Sequence, residues 1–527
     1  MNLIRDEWMP VVLQEGKQCR IAPWQIAEME NPVVELAAPR ADFQGALYQF
    51  LIGLLQTAFA PEDHDEWMEY WQTPPSSDAL REAFGRYEDS FEVENPDGAA
   101  FMQDFSLSEG EQKSIAALLI EAPGVKTRKD NLDHFVKGKS GECMCPACAA
   151  TALFTLQINA PSGGQGHRVG LRGGGPLTTL VVPPEATSLW QRLWANVLTS
   201  EELELNDAAD TSSIFPWMSP TRLSDKSGGP TLPGDVHPLH MYWAMPRRVR
   251  LEFQPVDALP CMVCGEITDM AASHLRTKNF GYNYEGPWVH PLTPYRFDPK
   301  HQNPPLSLKG QPGGIGYRQW LGLTWQDESN GDHAALVVQR FNTERSLDLS
   351  GDSLARLWSF GYDMDNMKAR CWYESTMPLL SIAPEKRSTF LDTTAHLLDA
   401  AKEAVSLTRS FVKAAWFSRP KDVKGDMGMV DHGFWHNTEP AFYRLLEQMA
   451  KQAIPGAQMP PTIAGSWLST VKREAVKQFD RWSLEGDAED LDMKRIIKAR
   501  NGLKAKLSSA KPFKDLKQIA ISETEAA

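Results

Sequence analysis

Five of the seven cysteines fall into two short clusters, Cys143, Cys145 and Cys148 in one and Cys261 and Cys264 in the other. Cys145-Pro146-Ala147-Cys148 and Cys261-Met262-Val263-Cys264 are both C-x-x-C. That turn holds two sulfurs on one side, and two such pairs supply the four thiolates of a tetrahedral zinc at about 2.3 Å per bond. The pairs are separated by 112 residues, so the site would staple distant parts of one domain. Cys143 is a substitute ligand with poorer spacing than Cys145. Either pair alone could be a redox dithiol; two pairs favour a structural metal. An odd cysteine count in a long chain does not read as a disulfide framework. With no basic, apolar leader at Met1 to Asp6, the expected compartment is the cytoplasm.

Other chemistries find only part of their residue sets in this chain. Pro260-Cys261-x-x-Cys264 matches half of the nucleobase-deaminase signature, but that reaction also needs a nearby H-x-E. The one H-x-E is His64-Asp65-Glu66, almost two hundred residues upstream. Neither a G-x-x-x-x-G-K-[ST] loop nor an H-E-x-x-H is present, which excludes a P-loop ATPase and a standard zinc protease. Asp133-His134, Asp332-His333 and Asp431-His432 could suggest phosphohydrolase chemistry, yet such dipeptides arise easily by chance. A zinc-dependent nucleic-acid-processing enzyme is the competing reading.

The most unusual stretch is 162–175, with seven glycines in fourteen residues and His167, Arg168 and Arg172 among them. Glycine lets backbone approach a ligand closely, and interleaved arginine favours nucleic-acid backbone or groove contact over a plain connector. No strand leads into a dinucleotide-type turn there. Residues 126–139 mix basic side chains with Phe135, a pattern suited to RNA stacking and phosphate contact.

These residues need elements to position them. The 527 residues carry 54 Lys+Arg against 68 Asp+Glu, a formal charge of −14, which argues against binding nucleic acid by bulk positive charge. The charge is unevenly spread, since residues 388–527 hold 21 basic and 18 acidic side chains. A hydrophobic fraction of 42% with 17 Trp and 22 Phe supports a large core. The expected class is α+β: a mixed domain over 1–383 with long loops, then a four-helix bundle over 384–527. Strands are expected at 177–182, 249–253 and 335–341, and helices at 43–58 and 149–156. The bundle helices are expected over 388–417, 439–453, 465–482 and 488–507, the last strongly basic. Residues 43–61 lack charge, but their glutamines, glycines and helical spacing describe a buried helix rather than a membrane span.

In combination these features resemble a known family. The opening Met1-Asn2-Leu3-Ile4-Arg5-Asp6-Glu7-Trp8-Met9-Pro10-Val11, the Pro39-Arg40 helix entry and Phe101-Met102-Gln103 are similar to CasA/Cse. So are C-x-x-C followed by Ala-Leu-Phe, the Gly-Leu-Arg-Gly-Gly stretch, Gly361-Tyr362-Asp363 and the terminal helices. The family is the large subunit of the type I-E CRISPR Cascade surveillance complex. The resemblance implies a non-enzymatic subunit at the crRNA 5′ end, beside other Cascade subunits. It would read the protospacer-adjacent motif in target double-stranded DNA, help open the duplex, and dock the helicase-nuclease. The implied DNA-binding residues are the glycine loop Gly163, Gly164, Gln165 and Gly166, a lysine finger at Lys278 (Asn279 without a gap), and a wedge at Asp365 and Asn366, where the family has glutamine in place of Asn366. The implied crRNA loop is Phe135, Val136 and Lys137. Cys145, Cys148, Cys261 and Cys264 map onto the family's zinc-binding cysteines.

Overall fold

The computed structural model describes residues 1–521 except 106, 108, 123–128, 130–141, 165, 185, 187, 206–209, 226–227, 350–353, 366, 426, 453–458 and 486–490. It divides into two compact units, the first comprising Met1–Gly310, Ala335–Val338 and Trp358–Glu374. The second comprises Gln311–Ala334, Gln339–Leu357 and Ser375–Ala527.

The first unit is organised around the Ala41–Ala58 helix. With Asp42 its one charged residue, the helix is buried on nearly every side, as expected of a helix without a polar face. Phe50 stands edge-on to Trp8, Phe91, Phe101, Phe154 and Trp243 at 5.7–6.0 Å between centroids. Edge-to-face geometry suits the ring quadrupoles, so one side chain ties five chain segments into one core. The Pro146–Asn159 helix is also buried along most of its length.

Two hairpins carry the expected functional segments. Strands Arg248–Pro260 and Ile267–Lys278 pair antiparallel, and Glu111–Ser114 adds to the outer side of Ile267–Lys278. Strand Ala355–Asp365 lies between Lys368–Leu379 and Thr178–Val182. The expected strand at 335–341 is helical instead: Leu336–Arg340 is α-helix and Phe341–Arg345 continues it as π-helix. Val337, Val338 and Phe341 are buried at one- and three-residue steps, a helical spacing that a short apolar run conceals.

In the second unit, four long helices span Pro384–Trp416, Gly428–Gln452, Pro461–Leu484 and Met493–Ser509, followed by a shorter fifth, Lys511–Ile521. The second begins eleven residues before the expected 439 because Val430, Phe434, Thr438 and Phe442 are buried at four-residue steps. Pro440 therefore lies inside this helix instead of at its start. Trp467 is fully buried, donates Nε1–H to Leu397 O at 2.7 Å and packs on Phe442 at 5.6 Å. Among the described residues no helix is long and apolar enough to cross a membrane.

Candidate nucleic-acid interface and metal centre

The two C-x-x-C pairs meet. The Sγ atoms of Cys145, Cys148, Cys261 and Cys264 all lie within 4.8 Å of one another, with Cys145 Sγ and Cys264 Sγ at 3.9 Å. A tetrahedral zinc with four thiolates requires sulfurs about 3.8 Å apart, so the donor set fits. Local folding explains how 112 intervening residues close the site. Met144 exchanges two backbone hydrogen bonds of 2.9 Å with Ala272 in the Ile267–Lys278 strand, and Met262 N–H donates to Cys143 O at 2.8 Å. Cys145 caps the Pro146–Asn159 helix, whose first residue is proline, so Cys148 sits on its first turn. In the hairpin loop, Gly265 N–H donates to Cys261 O at 2.9 Å, and Cys261 N–H to Glu266 O at 2.8 Å. Cys143 Sγ instead faces Pro260 O at 3.6 Å, and Cys145, not Cys143, belongs to the four-sulfur cluster. Hydrogen bonds from Cys145 and Cys148 hold Cys261 well below the usual thiol range, and Cys145 followed by Cys261 pushes Cys148 well above it.

The glycine loop and the end of the long hairpin form a second meeting point. Gly163 and Gly164 are exposed, and His167 N–H donates to Gly164 O at 3.2 Å. Phe280 N–H donates to Gly166 O at 2.7 Å. Gly166 adopts φ +78°, and a Cβ there would lie 2.9 Å from both the Asn279 Cβ and the Phe280 ring. Glycine is therefore required by conformation and by contact. Lys278 ends its strand opposite Arg248, is exposed, and has no partner among the described residues. Gln165 lies outside the described residues.

The two arginines and the histidine of the glycine-rich stretch have different roles. Arg172 is buried and donates to Gln49 Oε1 (2.7 Å), Thr293 Oγ1 (3.0 Å) and Thr178 Oγ1 (3.1 Å). It is a core residue and cannot meet phosphate, which corrects its sequence reading. Arg168 donates to Ser224 Oγ at 2.8 Å and Ser224 O at 2.6 Å. His167 is held at about 4 by burial and by the Arg247 and Lys113 charges, so it is neutral at pH 7.

Asp365 is exposed at the end of its strand, and Asn366 lies outside the described residues. Below this tip, Arg370 forks onto buried Asp363 at 2.6 and 3.1 Å and stands 4.0 Å from Asp365. Tyr362 donates to Asp42 at 2.6 Å, and Asp42 accepts from Arg40 at 2.9 and 3.0 Å. The helix entry and the Gly361-Tyr362-Asp363 motif are thus one hydrogen-bonded unit. The sequence offered no signal for the Asp42 link. Phe135, Val136 and Lys137 also lie outside the described residues.

The profile of the CRISPR-associated protein Cse1 family matches residues 2–478, most of the chain. The chain belongs to the Cse1 family. Its fold is similar to that of a CRISPR associated protein from Thermus thermophilus, at 18% identity and a TM-score of 0.68, covering 96% of this chain and 99% of that one. Thermobifida fusca Cse1 is similar at 17% identity and a TM-score of 0.67, covering 99% and 98%. A chain of a CRISPR RNA-guided surveillance complex matches at 15% identity and a TM-score of 0.68, covering 97% and 99%. The Cse1 fold thus extends over both units.

Proposed function

We propose that this Cse1 chain is the non-catalytic large subunit of a cytoplasmic Cascade, and that it recognises the protospacer-adjacent motif in target duplex DNA. The observation that supports this reading is the Gly166–Phe280 backbone hydrogen bond, which joins the loop of exposed Gly163 and Gly164 to the chain two residues beyond Lys278, exposed and without a partner among the described residues. A minor groove about 6 Å wide admits little side-chain bulk, so a glycine loop and one lysine suit it. Its degenerate code would make the subunit tolerant of several motifs. Asp365, exposed at its strand end beside the Arg370–Asp363 pair, forms with Asn366 the wedge that helps begin strand separation. Each base-pair step opened costs about 1.4 kcal/mol in stacking, which guide pairing offsets. Phe135, Val136 and Lys137 engage the crRNA 5′ end; the remaining surface meets other Cascade subunits and the helicase-nuclease.

Cys145, Cys148, Cys261 and Cys264 would hold a structural zinc, which joins the hairpin loop to the Pro146–Asn159 helix. A zinc-dependent nuclease needs an open coordination position, and four thiolates fill all four. In a reconstituted complex, Lys278→Ala should weaken motif-dependent duplex binding about tenfold, in the range of one base-pair readout, while sparing assembly. Binding as tight as the parent's at matched salt would contradict this site assignment.

A further inference from the structure

Among the described residues, the glycine loop and the segment after Lys278 share one backbone hydrogen bond, Phe280 N–H to Gly166 O, and a single bond is a weak way to keep two parts of a reader in register. A second set of contacts runs behind it. Arg168 leaves the loop two residues after Gly166, and its guanidinium lies over the Phe280 ring at 5.9 Å. The same guanidinium donates Nε–H to Ser224 Oγ at 2.8 Å and Nη2–H to Ser224 O at 2.6 Å. Ser224 then closes the circuit, with Oγ–H donating to Gly281 O at 2.6 Å and N–H donating to Phe280 O at 3.2 Å. Phe280 itself has φ +64°, a left-handed conformation that a bulky residue keeps only where its surroundings impose it. Its surroundings here are Gly166 on one side and the Arg168–Ser224 pair on the other.

We infer that Arg168 is a positioning residue, which with Ser224 locks Phe280 and so fixes Lys278 relative to the glycine loop; it is not a phosphate contact. Its Nε–H and Nη2–H donors are both taken up by Ser224, and a planar fork that both stacks and bonds is something lysine cannot reproduce. The inference rests on the motif-reading proposal for its functional consequence, but the clamp itself can be tested separately.

Three variants, Arg168→Lys, Arg168→Gln and Ser224→Ala, are compared with the parent in two measurements. Hydrogen exchange on the full chain should rise together over residues 163–170 and 278–284 in all three. In the reconstituted complex, discrimination between motif-bearing and motif-free duplexes should fall about tenfold for both arginine variants, the scale of one base pair's contribution. The slope of log K against log salt should not change. A phosphate contact predicts otherwise: Arg168→Gln would weaken all duplexes alike and reduce the slope by about 0.9, and Arg168→Lys would restore both. That result, or unchanged exchange in every variant, overturns the inference. Raised exchange in a complex whose parent does not discriminate motifs instead overturns the motif-reading proposal, and Lys278→Ala in parallel would then have no effect.

Discussion

Arg172 carries its charge into the core without a carboxylate among its hydrogen-bond partners, which are oxygens of Gln49, Thr178, Thr293 and Ile158. Burial lowers it to about 10, still far above neutral pH, so the guanidinium stays charged and depends on those oxygens. Arg172→Ala should cost about 3 kcal/mol or more, from a cavity and from acceptors left unpaired. A denaturation midpoint equal to the parent's would contradict that role. Arg168 and Arg172 are four residues apart in a glycine-rich run, and composition alone gives both the same phosphate-binding appearance. Depth separates them, and depth depends on contacts 121 and 123 residues away in sequence, which no local pattern encodes. The cysteines are the opposite case, because C-x-x-C spacing is a local property, and the four clustered cysteines are legible directly. Cys264→Ser should lower both bound metal and the thermal midpoint. A metal-free parent with an unchanged midpoint in the variant would contradict a structural zinc.

Legibility of the elements follows how far each one's pattern runs. Ala41–Ala58 is readable because eighteen residues without a basic side chain keep one spacing, whereas 335–341 is too short to distinguish strand from helix. Gly428–Gln452 is obscured by Pro440, which reads as a helix start although burial on either side keeps the helix continuous. The same burial makes Trp467 a central contact of the second unit, so Trp467→Ala should remove about 3–5 kcal/mol, checked by denaturant unfolding. A surface-like cost under about 1 kcal/mol would show that the packing around Leu397 and Phe442 is dispensable. Between Pro238 and Trp243, burial holds His240 at about 4 against an ordinary 6.5. The unfolded chain therefore takes up this proton first as pH falls. Stability from His240 is complete above 6.5 and is lost as pH falls through 4, up to about 3 kcal/mol for this group. Thermal midpoints should drop across that window, and less steeply for His240→Gln; an equal drop in the variant would assign the effect to other groups.

For the whole molecule, the net charge of −14 is the sum of differently charged regions. Between Lys494 and Lys517 there are nine basic residues, of which Arg500 is paired with Asp480 at 2.6 Å and Arg495 donates to Ala415 O at 2.8 Å. The other seven are exposed lysines, while Ile496, Leu503, Leu507, Phe513 and Leu516 face the core. A chain with this balance has little to hold duplex DNA nonspecifically, so the proposed function assigns selectivity to a few placed groups in the first unit. In the proposed function these groups read a short DNA motif. Its most direct test is binding of the reconstituted complex to motif-randomised duplexes, parent against Asn366→Ala. The parent should enrich a restricted set of motifs beside the guide-matched sequence, and Asn366→Ala a broader one; a parent that binds all motifs equally, or a variant with an identical enrichment profile, would contradict motif reading.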